Sequence, residues 1–156
     1  MLNPIITPRD FFSQIARPDC EDAIAVPDDV RKVLHACMSL HHLRDWVFNA
    51  GLAKFNTEKE FSEDLYKRCP ELKIIRAIAI NSKHSAPTTA PMMTVGTSAA
   101  AAGAWGESWG ESWGKTWGRI QAQVLGKTED GESYWVKQPL CKAFEFWKRE
   151  FEDNKW

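Results

Sequence analysis

CPELKIIRAIAINSKH, residues 69–84, is the stretch from which the fold of this chain is best predicted. Pro70 and Glu71 are typical of a helix start, because proline pre-sets φ in the first turn and an acidic side chain there faces the positive end of the helix dipole. The apolar residues recur at three- and four-residue steps, which predicts an amphipathic helix over residues 70–84. The predicted buried stripe is Leu72, Ile75, Ile78 or Ala79, and Ser82.

Two more helices are predicted upstream. Segment 27–50 begins with a proline and two aspartates and ends before Gly51, which can cap a helix C-terminus. Segment 57–68 begins with a capping box, in which the Thr57 side chain bonds a backbone amide and Glu60 reaches back. The apolar face predicted for the first of these helices is Val30, Val33, Leu34, Cys37, Leu40, Val47 and Phe48.

The two ends of the chain are predicted to differ. Prolines at positions 4, 8, 18 and 27 limit the helix in residues 1–26 to a short piece over 9–16, so we expect a strap packed on a larger body. A last helix over residues 139–153 starts at Pro139. Its apolar stripe is Leu140, Ala143, Phe144, Trp147 and Phe151.

Between the helices, the composition changes. Residues 85–103 are rich in Ala, Thr, Ser, Pro and Gly, which indicates an extended or mobile connection. Segment 119–125 alternates apolar and polar residues and can pair with 132–136 across Asp130-Gly131, which predicts a β-hairpin. We therefore divide one domain into an N-terminal strap (1–26), a helical core (27–84), a linker with a Trp-Gly repeat (85–118), a hairpin (119–137) and a C-terminal helix (138–156).

The composition restricts the kinds of partner. The chain has 156 residues, with 20 basic against 21 acidic side chains, so its net charge of −1 supplies no overall attraction to nucleic acid or anionic lipid. RNA binding would need a local patch. The N-terminus has no secretory apolar run and no span reaches the ~18 apolar residues of a membrane helix, so we expect a cytoplasmic protein with no membrane partner.

The four cysteines are widely separated in sequence. They have neither a CxxC pair nor zinc-finger spacing, so we interpret them as reduced thiols, with Cys37 and Cys69 in helix packing or capping positions. We expect no cofactor and no bound metal.

The polar residues near the end of the 70–84 helix can share one pocket. At 100° per residue, Arg76, Asn81 and His84 occupy an arc of about 140°. A histidine beside a guanidinium is the minimum equipment for metal-independent RNA cleavage, since one group shifts the 2′-OH proton and the other stabilises charge on the phosphate. Alternatively, Lys83 and His84 are drawn to the helix C-terminus by its dipole and Asn81 is a local cap.

The order R-x-x-x-x-N-x-x-H, formed by Arg76, Asn81 and His84, resembles the HEPN superfamily of small helical domains. Many members are ribonucleases of toxin–antitoxin or phage-defence systems, and others have lost the activity. In catalytic members a polar residue usually follows the arginine, whereas Ala77 follows Arg76 here. More narrowly, LHACMSLHHLRDWVF, CPELKIIRAIAINSKHS and FEFWKREF are similar to an uncharacterised group of bacterial proteins with an HLxDW helix before a CPxLxxxRDIANxxKH helix.

The resemblance implies a mainly α, HEPN-like helical bundle with a small β-hairpin or ribbon before the last helix. It implies a homodimer paired through these helices, with RNA and an antitoxin or other protein as partners. It assigns His84 as acid or base, Arg76 as phosphate partner and Asn81 as positioning residue, with Lys83 beside them as a binding residue.

His41 and Asp45 are the next candidates for binding, because they lie four residues apart on one side of the 27–50 helix. They can form a His–carboxylate pair that orients the imidazole, or two ligands of a metal site with His84. The third interpretation is a half-buried histidine satisfied by a carboxylate in the core. His42 and Arg44 are expected to point elsewhere.

The repeat AWGESWGESWGKTWGR, residues 104–119, places a tryptophan every fourth residue. A helix would carry four glycines at about 1 kcal/mol each relative to alanine, so we favour extended or turn-like structure. The rings can stack on bases or sugars, but the nearby acidic Glu107 and Glu111 disfavour a nucleic-acid backbone. We expect packing within the protomer or across a dimer, and an alternative function as a non-catalytic interaction or regulatory protein. The candidate binding residues are Trp105, Trp109, Trp113 and Trp117.

Overall fold

The computed structural model of the chain describes residues 4–83, 93–99, 122–128, 133–154 and 156. These residues form a mainly helical structure with a small antiparallel sheet, which confirms the predicted fold class at that level. The helices are α1 (Pro8–Phe11), a π-helical segment (Phe12–Ala16), α2 (Arg17–Ala25), α3 (Val30–Asn49), α4 (Glu58–Arg68), α5 (Glu71–Lys83) and α6 (Lys137–Asp153). The strands are β1 (Met93–Ala99), β2 (Ala122–Thr128) and β3 (Ser133–Trp135).

The N-terminal segment is helical over a longer range than predicted. The helix that begins at Pro8 continues past Pro18 as α2, although a proline inside a helix has no N–H and its ring collides with the carbonyl four residues earlier. The π-helical segment ends immediately before, with the Arg17 N–H bonded to the Phe12 carbonyl five residues back. This wider turn accommodates the proline ring.

The predicted limit of this helix to residues 9–16 is therefore wrong, because the helical segment runs from Pro8 to Ala25. One stripe of the α1–α2 segment is fully buried in the common core: Phe12, Ala16, Cys20 and Ala23. The Phe12 ring stacks on Phe151 of α6 with centroids 4.6 Å apart. The segment is thus an integral helical layer of the fold, because its apolar residues recur at a helical period that the prolines do not interrupt.

Helix α3 is the central element and starts three residues later than expected. Asp29 is its N-cap, with its carboxylate accepting a bond from the Lys32 amide at 3.2 Å. Pro27 lies before the helix, where its carbonyl accepts a bond from the Val124 amide of β2 at 2.9 Å. The buried residues of α3 are Val33, Ala36, Cys37, Ser39, Leu40, Leu43 and Val47.

The end of α3 confirms the predicted glycine cap. Gly51 has φ 68°, and its amide bonds the Phe48 carbonyl at 3.0 Å. The Leu52 amide bonds the Val47 carbonyl at 3.2 Å, which completes a Schellman motif.

Helices α4 and α5 follow the sequence prediction closely. The capping box of Thr57 and Glu60 is present at the start of α4, and Cys69 ends that helix by bonding its amide to the Leu65 carbonyl at 2.8 Å. The residues of α5 that are buried are Leu72, Ile75, Ala77, Ile78 and Ala79. Ser82, predicted to be buried, is exposed and donates to the Ala79 carbonyl at 2.7 Å.

The sheet has the order β1-β2-β3 and is antiparallel throughout. The pairing of β2 with β3 confirms the predicted hairpin, whose register sets Gly126 opposite Tyr134. A Cβ on Gly126 would lie 3.0 Å from the Tyr134 ring, so glycine lets the two strands approach. Strand β1 lies within the segment that we predicted to be a connection, and it pairs with β2 from Met93–Thr128 to Ala99–Ala122.

Helix α6 confirms the predicted apolar stripe and closes the core. Trp147 and Phe151 are among its largest fully buried side chains, and Leu140, Ala143 and Phe144 are buried beside them. Arg9 of α1 donates to the Phe151 carbonyl at 2.9 Å, which connects the first and last helices. None of the described helices has both the length and the apolar character needed to cross a membrane.

Candidate functional site

The packing of α3 against α5 brings His41 and Arg76 into one electrostatic environment. His41 is half-buried, and burial lowers the pKa of its imidazole to about 4, with the charges of Arg44, His42 and Arg76 acting in the same direction and Asp45 opposing them. The ring is therefore neutral at neutral pH and can donate one hydrogen bond and accept another. Arg76 itself is partly exposed on α5.

Asp45 binds a different partner from the one predicted. Arg44 donates to its Oδ1 from Nε at 2.9 Å and from Nη2 at 2.6 Å, while His42 Nδ1 lies 3.4 Å from Oδ2. Among the described residues, Arg44 and His42 bond this carboxylate, so the predicted His41–Asp45 pair is not formed. The reason is the long side chain of Arg44, which reaches the carboxylate of its direct neighbour through Nε and Nη2 while Nη1 and Nη2 also contact α4.

The contacts to α4 fix the Arg44 guanidinium. Its Nη2 lies 2.7 Å from Glu58 Oε1 and its Nη1 donates to Ser62 Oγ at 3.3 Å, while only 15% of the side chain is exposed. Although burial opposes it, the carboxylate of Asp45 raises the pKa of Arg44 above its ordinary value. Arg44 therefore ties α3 to α4 and was missed from sequence because its partners lie 14 and 18 residues away.

Tyr66 of α4 is a second residue that the sequence did not indicate. Its hydroxyl is buried and has no hydrogen-bond partner within the described parts of the chain, and its phenol interacts electrostatically with Arg44. Buried hydroxyls are rarely left unpaired. The only sequence signal was its place one residue after the buried Leu65, at the edge of the α4 apolar face.

Two polar side chains near the end of α5, Asn81 and Ser82, bond backbone carbonyls of the same helix. Asn81 Nδ2 donates to the Ala77 carbonyl at 2.7 Å, and Lys83 is exposed in the last turn. Ala77 is buried in the core, so a polar residue after Arg76 would have to be desolvated here. His84 follows α5 directly in sequence and lies outside the described residues.

The remaining predicted binding residues also lie outside the described parts of the chain: Trp105, Trp109, Trp113 and Trp117. The strands on either side of the repeat are described, and Ala99 at the end of β1 pairs with Ala122 at the start of β2.

The cysteines and carboxylates form no metal centre in the part of the structure that is described. No cluster of three or more His, Cys, Asp or Glu side chains there has an arrangement that could hold an ion. All four cysteines are free thiols, and burial raises the pKa of Cys69 to about 11. These thiols are packing residues at neutral pH.

Comparisons with known protein families, with curated proteins and with solved structures find no match for this chain. The chemistry of the α3–α5 junction and the sequence resemblance are therefore the grounds for assigning a function.

Proposed function

We propose that this chain is a HEPN-like, RNA-directed domain that acts as a metal-independent endoribonuclease of the toxin–antitoxin or phage-defence type. The proposal is supported by the packing of α3 against α5, which carry His41 and Arg76. Burial keeps the His41 imidazole neutral at neutral pH by lowering its pKa, and the charge of Arg76 makes a small contribution in the same direction. A guanidinium and a neutral imidazole in one place suit a phosphodiester, because the first neutralises charge and the second donates a hydrogen bond.

The proposed roles follow from these chemical properties. Arg76 binds the non-bridging phosphate oxygens and Lys83 a neighbouring phosphate, while Asn81 positions the ribose. His84 removes the proton of the 2′-OH, whose oxygen attacks phosphorus as the bond to the 5′-oxygen breaks. The leaving 5′-oxygen takes up a proton from water while His84 returns its proton to the solvent, so the products are a 2′,3′-cyclic phosphate and a 5′-hydroxyl.

The test is RNA digestion in the presence of EDTA. The wild type is expected to cut single-stranded RNA and leave cyclic phosphate ends, and His84→Ala is expected to lose at least about 100-fold in rate without loss of helical signal in circular dichroism. His35→Ala is the matched control, since His35 is exposed on α3 and has no role in the proposed reaction. Intact RNA with the wild type, or equal cutting by the His84 variant, would refute the nuclease.

A second candidate is a non-catalytic protein that assembles through the Trp-Gly repeat. The pairing of Ala99 with Ala122 favours it, because the chain leaves β1 and returns to β2 at one end of the sheet, so the two ends of the repeat segment are anchored side by side. On this hypothesis the tryptophans contact a second copy and form a homodimer.

Hydrodynamic mass tests the second candidate. Replacing both Trp109 and Trp113 by serine is expected to convert dimer to monomer in sedimentation. Trp135→Ser is the control, because Trp135 is an exposed tryptophan outside the repeat. An unchanged mass in the double variant would count against assembly through the repeat.

A further inference from the structure

A groove of about 540 Å³ lies between the start of the N-terminal helix and the C-terminal half of α3. The rings of Phe11 and Trp46, both of which line it, stack with centroids 5.0 Å apart and an angle of 19° between their planes. Ile6 lies at the rim with 70% of its surface exposed. The groove is thus lined by an aromatic pair and by aliphatic side chains, and its size is typical of small-molecule sites.

One edge of the groove is polar. His42, Asp45 and Asn49 follow at three- and four-residue steps and so lie along one side of α3 next to Trp46. Asp45 Oδ1 is taken by Arg44, whereas Oδ2 has only the 3.4 Å contact with His42 among the described residues. The exposed amide of Asn49 makes no hydrogen bond within the described chain. The edge therefore offers a carboxylate acceptor, an amide donor and an amide acceptor.

We infer that this groove binds an unpaired nucleobase of single-stranded RNA. Planar rings that stack on aromatic side chains while their edges are read by hydrogen bonds are how proteins recognise splayed RNA bases. An asparagine amide matches the adjacent donor and acceptor of adenine, and an aspartate matches an exocyclic amino group. A purely apolar ligand would leave Asp45 Oδ2 and the Asn49 amide without a polar partner, so the row of polar groups disfavours one.

The position of the groove connects it to the proposed phosphate site. The His41 and His42 rings lie 5.6 Å apart, with His42 lining the groove and His41 on the helix that packs against α5. Polar side chains thus run from the base groove to the α3–α5 junction. The inference rests on the proposed function in taking RNA as the ligand, with the backbone of a bound nucleotide continuing from the groove to that junction.

The experiment compares adenosine 5′-monophosphate with ribose 5-phosphate, which lacks the base. Two-dimensional ¹H–¹⁵N NMR is expected to show shifts at α3 residues of the groove with the nucleotide, and much weaker binding of the sugar phosphate. Asn49→Leu is expected to weaken nucleotide binding by at least about fivefold, the lower end of what a bidentate amide–base contact provides. Asn56→Leu is the control, since Asn56 is exposed in the loop before α4.

A second variant, Trp46→Leu, removes the stacking surface and is expected to abolish the shifts. If it is poorly folded, Asn49→Leu decides, because its side chain is exposed and its loss opens no cavity. Equal binding of ribose 5-phosphate, an unchanged affinity in Asn49→Leu, or no binding of any of the four nucleoside monophosphates would overturn the base site. NMR shifts of the groove residues that depend on protein concentration alone would also overturn it, since they would show that a second copy of the chain occupies the groove.

The two proposals fail in different ways. Nucleotide binding in the groove together with intact RNA would retain the base site and refute the nuclease. Cleavage by the wild type with unaltered substrate affinity in Asn49→Leu would retain the nuclease and refute the base site.

Discussion

Acidification is expected to destabilise the protein through His41, and the size of the effect follows from its environment. The pKa of this imidazole falls from 6.5 to about 4, mainly because of burial. The unfolded chain therefore binds a proton in a pH range where the folded chain does not, and stability rises with pH in that range. The stability that depends on the neutral His41 ring is fully present above pH 6.5 and is lost progressively as the pH falls toward 4.

The magnitude can be worked from the two pKa values. Their difference corresponds to roughly 3 kcal/mol once the pH lies below both. At pH 5 the folded ring is still mostly neutral and the unfolded ring mostly charged, so the loss relative to pH 7.5 is about 2 kcal/mol. The other groups that titrate over this range contribute the same pH dependence of stability to the wild type and to a variant that lacks only this imidazole. The difference between the two proteins therefore isolates His41.

Urea unfolding of the wild type and of His41→Gln at pH 7.5, 6.5, 5.5 and 5.0 measures the effect. The wild type is expected to lose about 2 kcal/mol more than the variant between the extremes, and His35→Gln is expected to behave like the wild type. The NMR titration of the His41 ring gives its pKa directly. A midpoint near 6.5, or parallel pH profiles for the wild type and His41→Gln, would refute the burial argument.

Two further predictions concern the framework that holds the site. Gly51→Ala is expected to lower the free energy of unfolding by about 1 kcal/mol, because Gly51 has φ 68°. An added Cβ meets nothing within 4 Å, so the cost comes from the backbone conformation alone. An unchanged urea midpoint would contradict this. Trp147→Ala is expected to lower the free energy of unfolding by about 3–5 kcal/mol, because it leaves a cavity in the core under α6. Lys148→Ala, at a partly exposed position, is the control. A decrease under about 1 kcal/mol in urea unfolding of the Trp147 variant would be inconsistent with the packing.

The helix ends and apolar faces could be predicted because their causes are local. Thr57 and Glu60 satisfy backbone amides within the same turn, and Gly51 supplies a backbone conformation that other residues adopt at a cost. The spacing of the apolar residues from Leu140 to Phe151 likewise predicts the buried side of α6 without any other information. Each of these features depends on residues no more than a few positions apart.

Two features depended on a distant or compensating element that no local rule supplies. Pro18 was expected to break the N-terminal helix, but the π-helical segment before it makes room for the ring and the core retains the stripe from Phe12 to Ala23. Strand β1 lies in the segment expected to be an extended or mobile connection, and it is a strand because β2, more than twenty residues later, supplies its hydrogen bonds.

Local spacing was enough to predict that Arg76 and Asn81 share the end of α5, since the angular position of two residues on a helix depends only on their separation. The packing of the helices was needed to see that Arg44 rather than His41 bonds Asp45, and that Phe11 and Trp46 stack in the lining of a groove. The physical reason is that these relations join helices through contacts between residues far apart in sequence. Their geometry is set by the packing of the whole core, which no local spacing encodes.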